Sequence, residues 1–228
     1  MRYPNTLRGV FIDRPNRFIA RVQIGGEAED CHVKNTGRCR ELLLPGAQVV
    51  LTAAPEGSPR KTRFDLIAVY KGERLFNIDS QTPNQVAAEY LPLLFPGTRR
   101  IIPEHRLGAS RLDFLLETEE GDVFVEVKGC TLEREGQALF PDAPTGRGVK
   151  HLKELTALAR AGRMACLLFV IQMEGVRCIS PNDATHPAFG EALREAAGAG
   201  VRLLAVDCRV GEGELWAREP VPVHLRME

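Results

Sequence analysis

From residue 7 to about residue 80 the apolar positions come in short runs. LRGVFI, RFIARVQI, CHVK, PGAQVVLTAA and FDLIAVYKG are separated by DRPN, GGEAED, NTG and PEGSPRK. Such runs, punctuated by Gly, Pro, Asn and Asp and lacking a 3.6-residue period, predict about five β-strands. Beyond residue 80 the pattern changes. NQVAAEYLPLLF predicts a short helix with Asn84 as its cap and Pro96 and Gly97 as its stop. Strands follow over about 112–117 and 123–128, then a helix over about 148–161, the wholly apolar strand ACLLFVIQ, a helix over about 187–198 and the strand VRLLAVDC.

These two patterns define an α/β protein with an N-terminal all-β domain. Five short strands with polar connections fit a small Greek-key barrel, and the OB-fold is the natural candidate. Its usual ligands are oligonucleotides or oligosaccharides, and the alternative is a β-domain that merely packs on its neighbour. The helices and interior strands that follow fit a mixed sheet flanked by helices. The expected organisation is an OB-fold-like nucleic-acid-binding domain over 1–80 and an α/β domain over 81–228. Within the first, NTGR at 35–38 reads as turn chemistry before ligand contact, and Phe18 and the other barrel aromatics read as core rather than stacking surfaces.

Composition narrows the setting. With 228 residues, 44% of them hydrophobic, the chain can bury a substantial core. It has no eighteen-residue apolar run and no apolar leader, so a soluble cytoplasmic protein is expected and a membrane partner is not. Six cysteines without a C-x-x-C pair argue for buried reduced thiols rather than structural zinc. Net charge is zero but unevenly spread: residues 1–80 hold 13 Lys+Arg against 9 Asp+Glu, and residues 81–228 hold 17 against 21. A front half at +4 and a back half at −4 suggest units with different partners.

The chemistry concentrates in VFVEVKG, residues 123–129. Alternation puts Val123, Val125 and Val127 on one face and Phe124, Glu126 and Lys128 on the other. Upstream, SRLDFLLE carries Asp113 in an otherwise apolar strand, and a hairpin through TEEGD brings Asp113 back beside Glu126. Two carboxylates and a lysine at one sheet mouth suit a hard cation such as Mg²⁺ or Mn²⁺, with Lys128 beside an attacked phosphate. The competing reading is a Glu126–Lys128 ion pair on a sheet face.

Asp113 followed by Glu126-Val127-Lys128 resembles the core of the PD-(D/E)xK nuclease superfamily, although Leu112 stands where the superfamily name has proline. Over nearly the whole chain, RFIARVQ, HVKNTGR, LLLPGAQVVL, PEHRLGASRLDFLLE, VEVKGCTL and ALFPDAPTGRGVKHLKEL resemble the sugar fermentation stimulation protein A family. Gly129 departs from the asparagine usual there. The resemblance implies an N-terminal OB-fold, a PD-(D/E)xK nuclease-like C-terminal domain, and a role in DNA binding and in regulating sugar (maltose) utilisation genes.

The expected site is therefore Asp113, Glu126 and Lys128 as catalytic residues, with Glu104 as a further metal ligand beside the two carboxylates. Arg99, Arg100, His105, Arg106 and Arg111 form a local basic stretch suited to backbone phosphates. Arg147, Lys150 and His151 lie in or near the first turn of a helix, where cations oppose the helix dipole unless an anion relieves them. Two functions follow: a metal-dependent nuclease, or a DNA-binding regulator that keeps the fold without turnover. DNA is the expected partner and RNA the alternative, with homo-oligomerisation left open.

Overall fold

Val49, Leu51, Leu66, Val69 and Phe76 are buried in one cluster and fill the centre of the first half of the chain. The computed structural model describes residues 1–35, 37–54, 57–108 and 110–226. Thr36 of NTGR, Pro55 and Glu56 of PEGSPRK, and Ala109 of PEHRLGASR lie outside the described residues.

The strands of this half are β1 (Thr6–Asn16), β2 (Ile19–Ile24), β3 (Glu27–Val33), β4 (Gln48–Ala53), β5 (Phe64–Lys71) and β6 (Arg74–Asn77). They pair in the order β3-β2-β1-β4-β5-β6, and a parallel β3–β5 pairing closes the first five into a barrel. The short β6 lies outside the pattern read from the sequence and extends the barrel edge beside β5. Closure leaves no free edge on the five-stranded ring.

The second half runs α1 (Thr82–Leu94), β7 (Thr98–Leu107), β8 (Ser110–Thr118), β9 (Gly121–Cys130), β10 (Glu133–Arg134), β11 (Gln137–Phe140), α2 (Gly146–Arg160), β12 (Met164–Ile171), β13 (Cys178–Pro181), α3 (Pro187–Gly198), β14 (Arg202–Val210) and β15 (Leu215–Pro220). Its main sheet has the order β15-β14-β12-β9-β8-β7, parallel through β14, β12 and β9 and antiparallel at both edges. A small sheet, β10-β11-β13, lies beside it.

Alternation on β9 separates two cores as the sequence predicts. Val123, Val125 and Val127 join Val86, Ala87 and Leu91 of α1 on one face. Phe124 joins Leu152 and Leu155 of α2 and Phe189 of α3 on the other. Glu126 and Lys128 therefore open toward the α2 side.

Two expectations change. The first helix begins at Thr82 with Gln81 as its N-cap, because Pro83 suits the first helical turn, so Asn84 is already inside the helix. Phe11 and Phe76 are core, yet Phe18 is 45% exposed at the β1–β2 turn. All six cysteines are free and buried, and no helix among the described residues is long and apolar enough to cross a membrane.

Barrel and α/β unit are joined by buried polar bonds. Gln172 donates from Nε2 to Asn77 Oδ1 at 2.8 Å and to the Asp79 carbonyl at 3.0 Å, while the Asn77 amide donates to the Gln172 carbonyl at 3.0 Å. This junction explains Gly129. A Cβ there would lie 2.5 Å from Pro83 Cγ and 2.8 Å from Gln172 Oε1, so α1 and Gln172 approach β9 at glycine distance. Gly129→Ala should lower unfolding stability by about 1–3 kcal/mol through overpacking. Denaturant melts of both chains measure this, and an unchanged midpoint would contradict the close approach.

Candidate active site

Asp113 sits where two strands part. The β8–β9 ladder runs from Thr118↔Gly121 to Phe114↔Val125 and stops one residue short of Asp113. There the Val127 N–H donates to Asp113 Oδ2 at 2.8 Å, so a side-chain carboxylate replaces the strand's own carbonyl and the sheet opens. Asn84 Nδ2, from the first turn of α1, donates to Asp113 Oδ1 at 2.9 Å. The residue read as a helix cap is thus a positioning group. Asn is common both at caps and in turns, so the sequence offered no signal separating these roles.

Glu126 is 2% exposed near the centre of the main sheet, paired with Leu167 of β12 and just past the point where β8 parts from β9. Its Oε1 pairs with Lys128 Nζ and with His151 Nδ1 from α2. Its Oε2 is buried and has no hydrogen-bond partner among the described residues. Leaving such an oxygen bare is costly, and a cation would satisfy it.

The two carboxylates are tuned in opposite directions. Burial pushes the Asp113 carboxyl above the usual carboxylate range, and the Glu126 charge adds to this, outweighing the bonds from Val127 and Asn84. Burial also pushes Glu126 up, but the His151 bond and the Lys128 ammonium outweigh it and hold Glu126 below its ordinary value.

Around them lies a cleft of about 230 Å³ lined by Glu104, Arg111, Asp113, Glu126, Lys128, Arg147 and His151. A neighbouring cleft of about 380 Å³ is lined by Arg106, Arg111, Arg147, Lys150 and His151. Most of the residues singled out in the sequence are therefore gathered in one place by β7, β8, β9 and α2. Arg106 and Arg147 have no acidic partner among the described residues, whereas Lys150 Nζ lies 3.7 Å from Glu154.

Other candidates are placed differently. Glu104, on β7 opposite the Asp113 stretch of β8, lines the rim of the cleft, with its exposed carboxylate 3.2 Å from Arg111. Arg99 and Arg100 stand at the far end of β7, paired with Glu119 at 3.4 Å and Glu117 at 3.7 Å, and do not line the cleft. His105 packs its ring against Phe124, centroids 5.9 Å apart. Thr145 caps α2 by accepting from the Gly148 N–H at 3.0 Å. His151, near that helix start, is hydrogen-bonded to the protein's own Glu126.

Among the described residues no three His, Cys, Asp or Glu side chains form a ready metal cage. Two carboxylates with one bare buried oxygen fit a cation that keeps several waters and takes the rest of its shell from a phosphate. Mg²⁺ and Mn²⁺ belong to that class.

A closed five-stranded barrel followed by a mixed sheet flanked by helices, with two carboxylates and a lysine where β8 and β9 part, defines an OB-fold protein with an α/β second domain. Family models agree: residues 12–78 match the SfsA N-terminal OB domain and residues 81–214 the sugar fermentation stimulation protein RE domain. A sugar fermentation stimulation protein homolog of Desulfitobacterium hafniense (strain Y51) is 53% identical over 226 residues, 99% of each chain. One from Ruminiclostridium cellulolyticum is 50% identical over 227 residues, covering 99% of this chain and all of the relative. Among solved structures, Pyrococcus furiosus SfsA in complex with Ca²⁺ superposes with a TM-score of 0.88 at 33% identity over 98% of both chains. The chain belongs to the sugar fermentation stimulation protein family.

The opposed carboxylates give opposite pH signatures. Asp113 is raised on folding, so the folded chain holds its proton longer, and stability is lost as pH rises from its unfolded value near 3.8 through the folded value. Asp113→Asn should therefore raise the melting temperature of the metal-free protein at pH 7, by a margin that shrinks toward pH 4. Glu126 is depressed, so its contribution is present above its unfolded value near 4.5 and is lost as pH falls through the folded value. Glu126→Gln should cost ~3 kcal/mol at neutral pH by stranding the Lys128 ammonium, and less in acid. Melts from about pH 2 to pH 7 check both, and variants that shift together would contradict the assignment.

Proposed function

We propose that the chain is a metal-dependent nuclease hydrolysing DNA phosphodiesters, with residues 1–80 presenting nucleic acid to an active site in residues 81–228. The observation that carries this reading is Glu126 Oε2, buried without a partner beside Asp113 and Lys128 in a cleft rimmed by arginines. Binding of Ca²⁺ by the Pyrococcus furiosus relative is consistent with a cation here.

Asp113 and Glu126 are the groups that would hold Mg²⁺ or Mn²⁺. Such an ion supplies polarisation of a phosphoryl oxygen and a lowered pKa for a bound water. Asn84 and the Val127 amide fix the Asp113 carboxylate, so its direction is set before substrate arrives. Lys128, 15% exposed, places its ammonium at the cleft floor, where it neutralises charge developing on the phosphate. His151 orients Glu126 from the α2 side. Arg106 and Arg147, free of acidic partners, are the strongest candidates for holding flanking phosphates.

A non-catalytic DNA-binding regulator is the second reading, and one observation favours it: both Lys128 and His151 close on Glu126 Oε1. Incubation of plasmid and linear DNA with Mg²⁺ or Mn²⁺ decides. Nicking or degradation by the parent should fall about 100-fold or more in Lys128→Met and be lost in Asp113→Asn. Absence of cleavage with either ion would overturn the nuclease in favour of the regulator. Arg147→Ala should reduce the salt slope of duplex binding by about 0.9, whereas Arg100→Ala should not change it. Equal slopes for the two variants would contradict the phosphate assignment.

A further inference from the structure

The β1–β2 turn and the segment after β3 form a second charged surface, on the barrel. Arg14 NH1 donates to the carbonyls of Gly37 at 2.9 Å and Arg38 at 2.8 Å, and Arg14 NH2 to those of Arg17 at 2.6 Å and Asn35 at 2.7 Å. One guanidinium thus ties the two loops together. Asn16 Oδ1 accepts from the Phe18 N–H at 2.9 Å and the Ile19 N–H at 3.1 Å, which fixes the turn that presents Phe18.

This scaffold displays an exposed aromatic ring and exposed cations. Phe18 is 45% exposed, with the Arg17 guanidinium 4.9 Å above its ring centroid. Arg38 and Arg40 are exposed and have no acidic partner among the described residues. Arg14, Arg17, Arg38 and Arg40 line a groove of about 390 Å³.

One wall of the groove belongs to a loop that reaches the second half of the chain. A Cβ on Gly37 would lie 2.7 Å from Asp142 Oδ2, so this loop packs against the segment that enters α2. Asn35, in the same loop, lines a junction pocket of about 140 Å³ together with Asn84, Gly129 and Asp142. Asn84 holds Asp113, and Gly129 follows Lys128 in β9.

We propose that this groove binds an unpaired DNA strand, stacking one base on Phe18 and holding its phosphates with Arg38 and Arg40, so that the strand is delivered through the junction to the acidic cleft. The proposal rests on the nuclease reading for its destination but not for its binding chemistry. An aromatic face beside unpaired cations suits a base that is out of the helical stack, because every base has a π-face and duplex bases are already stacked.

The test is fluorescence anisotropy with a labelled oligothymidylate of about 12 nucleotides and a labelled hairpin duplex, both in EDTA. Phe18→Ala should weaken oligothymidylate binding about tenfold with an unchanged salt slope. Phe18→Leu, which keeps apolar bulk without the ring, should behave the same. The Arg38→Ala/Arg40→Ala double variant should lower the single-strand salt slope by about 1.4. Hairpin binding should change little in any variant. Parent-like binding by these variants, or equal losses on the hairpin, would overturn the groove. Because EDTA removes hydrolysis from the readout, a chain that cleaves no DNA yet loses oligothymidylate on Phe18→Ala keeps the groove and overturns the nuclease.

Discussion

Burial of one carboxylate at the centre of a sheet organises the second half of this protein. Glu126 is 2% exposed with parallel β12 on one side of its strand, where an unpaired charge would cost several kcal/mol. The surroundings answer that cost with a lysine two residues along the same strand and a histidine from α2, and they hold one Glu126 oxygen bare. Asp113 then intrudes from β8 by taking the Val127 amide, which opens the sheet and puts a second negative charge beside the first. Strand order, helix placement and cleft all meet at this point.

Much of this was legible in the sequence, for a physical reason. Alternation in VFVEVKG is a direct statement of sheet geometry, and Val123, Val125 and Val127 do back onto α1 while Phe124, Glu126 and Lys128 face α2. Long apolar runs such as ACLLFVIQ declare themselves as interior strands, and β12 follows. What escaped was set by tertiary placement. Strand β7 is more than half charged or polar because it is an edge, so TRRIIPEHRL read as a basic stretch, and its position separates Arg99 and Arg100 from the cleft that Arg106 borders. Asn84 reads equally well as a cap until α1 is seen to start at Thr82. Phe18 belongs to an apolar strand pattern, and its exposure follows from the turn that Asn16 fixes.

The barrel and the α/β unit are not strangers sharing a chain. Asn77, Thr82 and Gln172 exchange buried hydrogen bonds across the junction, and the Tyr3 backbone N–H donates to the Gly213 carbonyl at 2.8 Å. Buried polar bonds of this kind fix relative orientation, because each partner would be left unsatisfied if the units slid. Gly129 marks the same contact from the other side, where its lack of a side chain lets Pro83 and Gln172 approach the strand that carries Glu126 and Lys128. Junction and candidate site are therefore one mechanical unit.

The central claim is that Asp113 and Glu126 together bind a divalent cation. Isothermal titration calorimetry of Mn²⁺ into the parent and into Asp113→Asn, Glu126→Gln and Lys128→Met addresses it directly. One saturable site in the parent, lost in both carboxylate variants and retained or tightened in Lys128→Met, is the predicted result. A parent that takes up no Mn²⁺, or carboxylate variants that bind it as the parent does, would contradict the account.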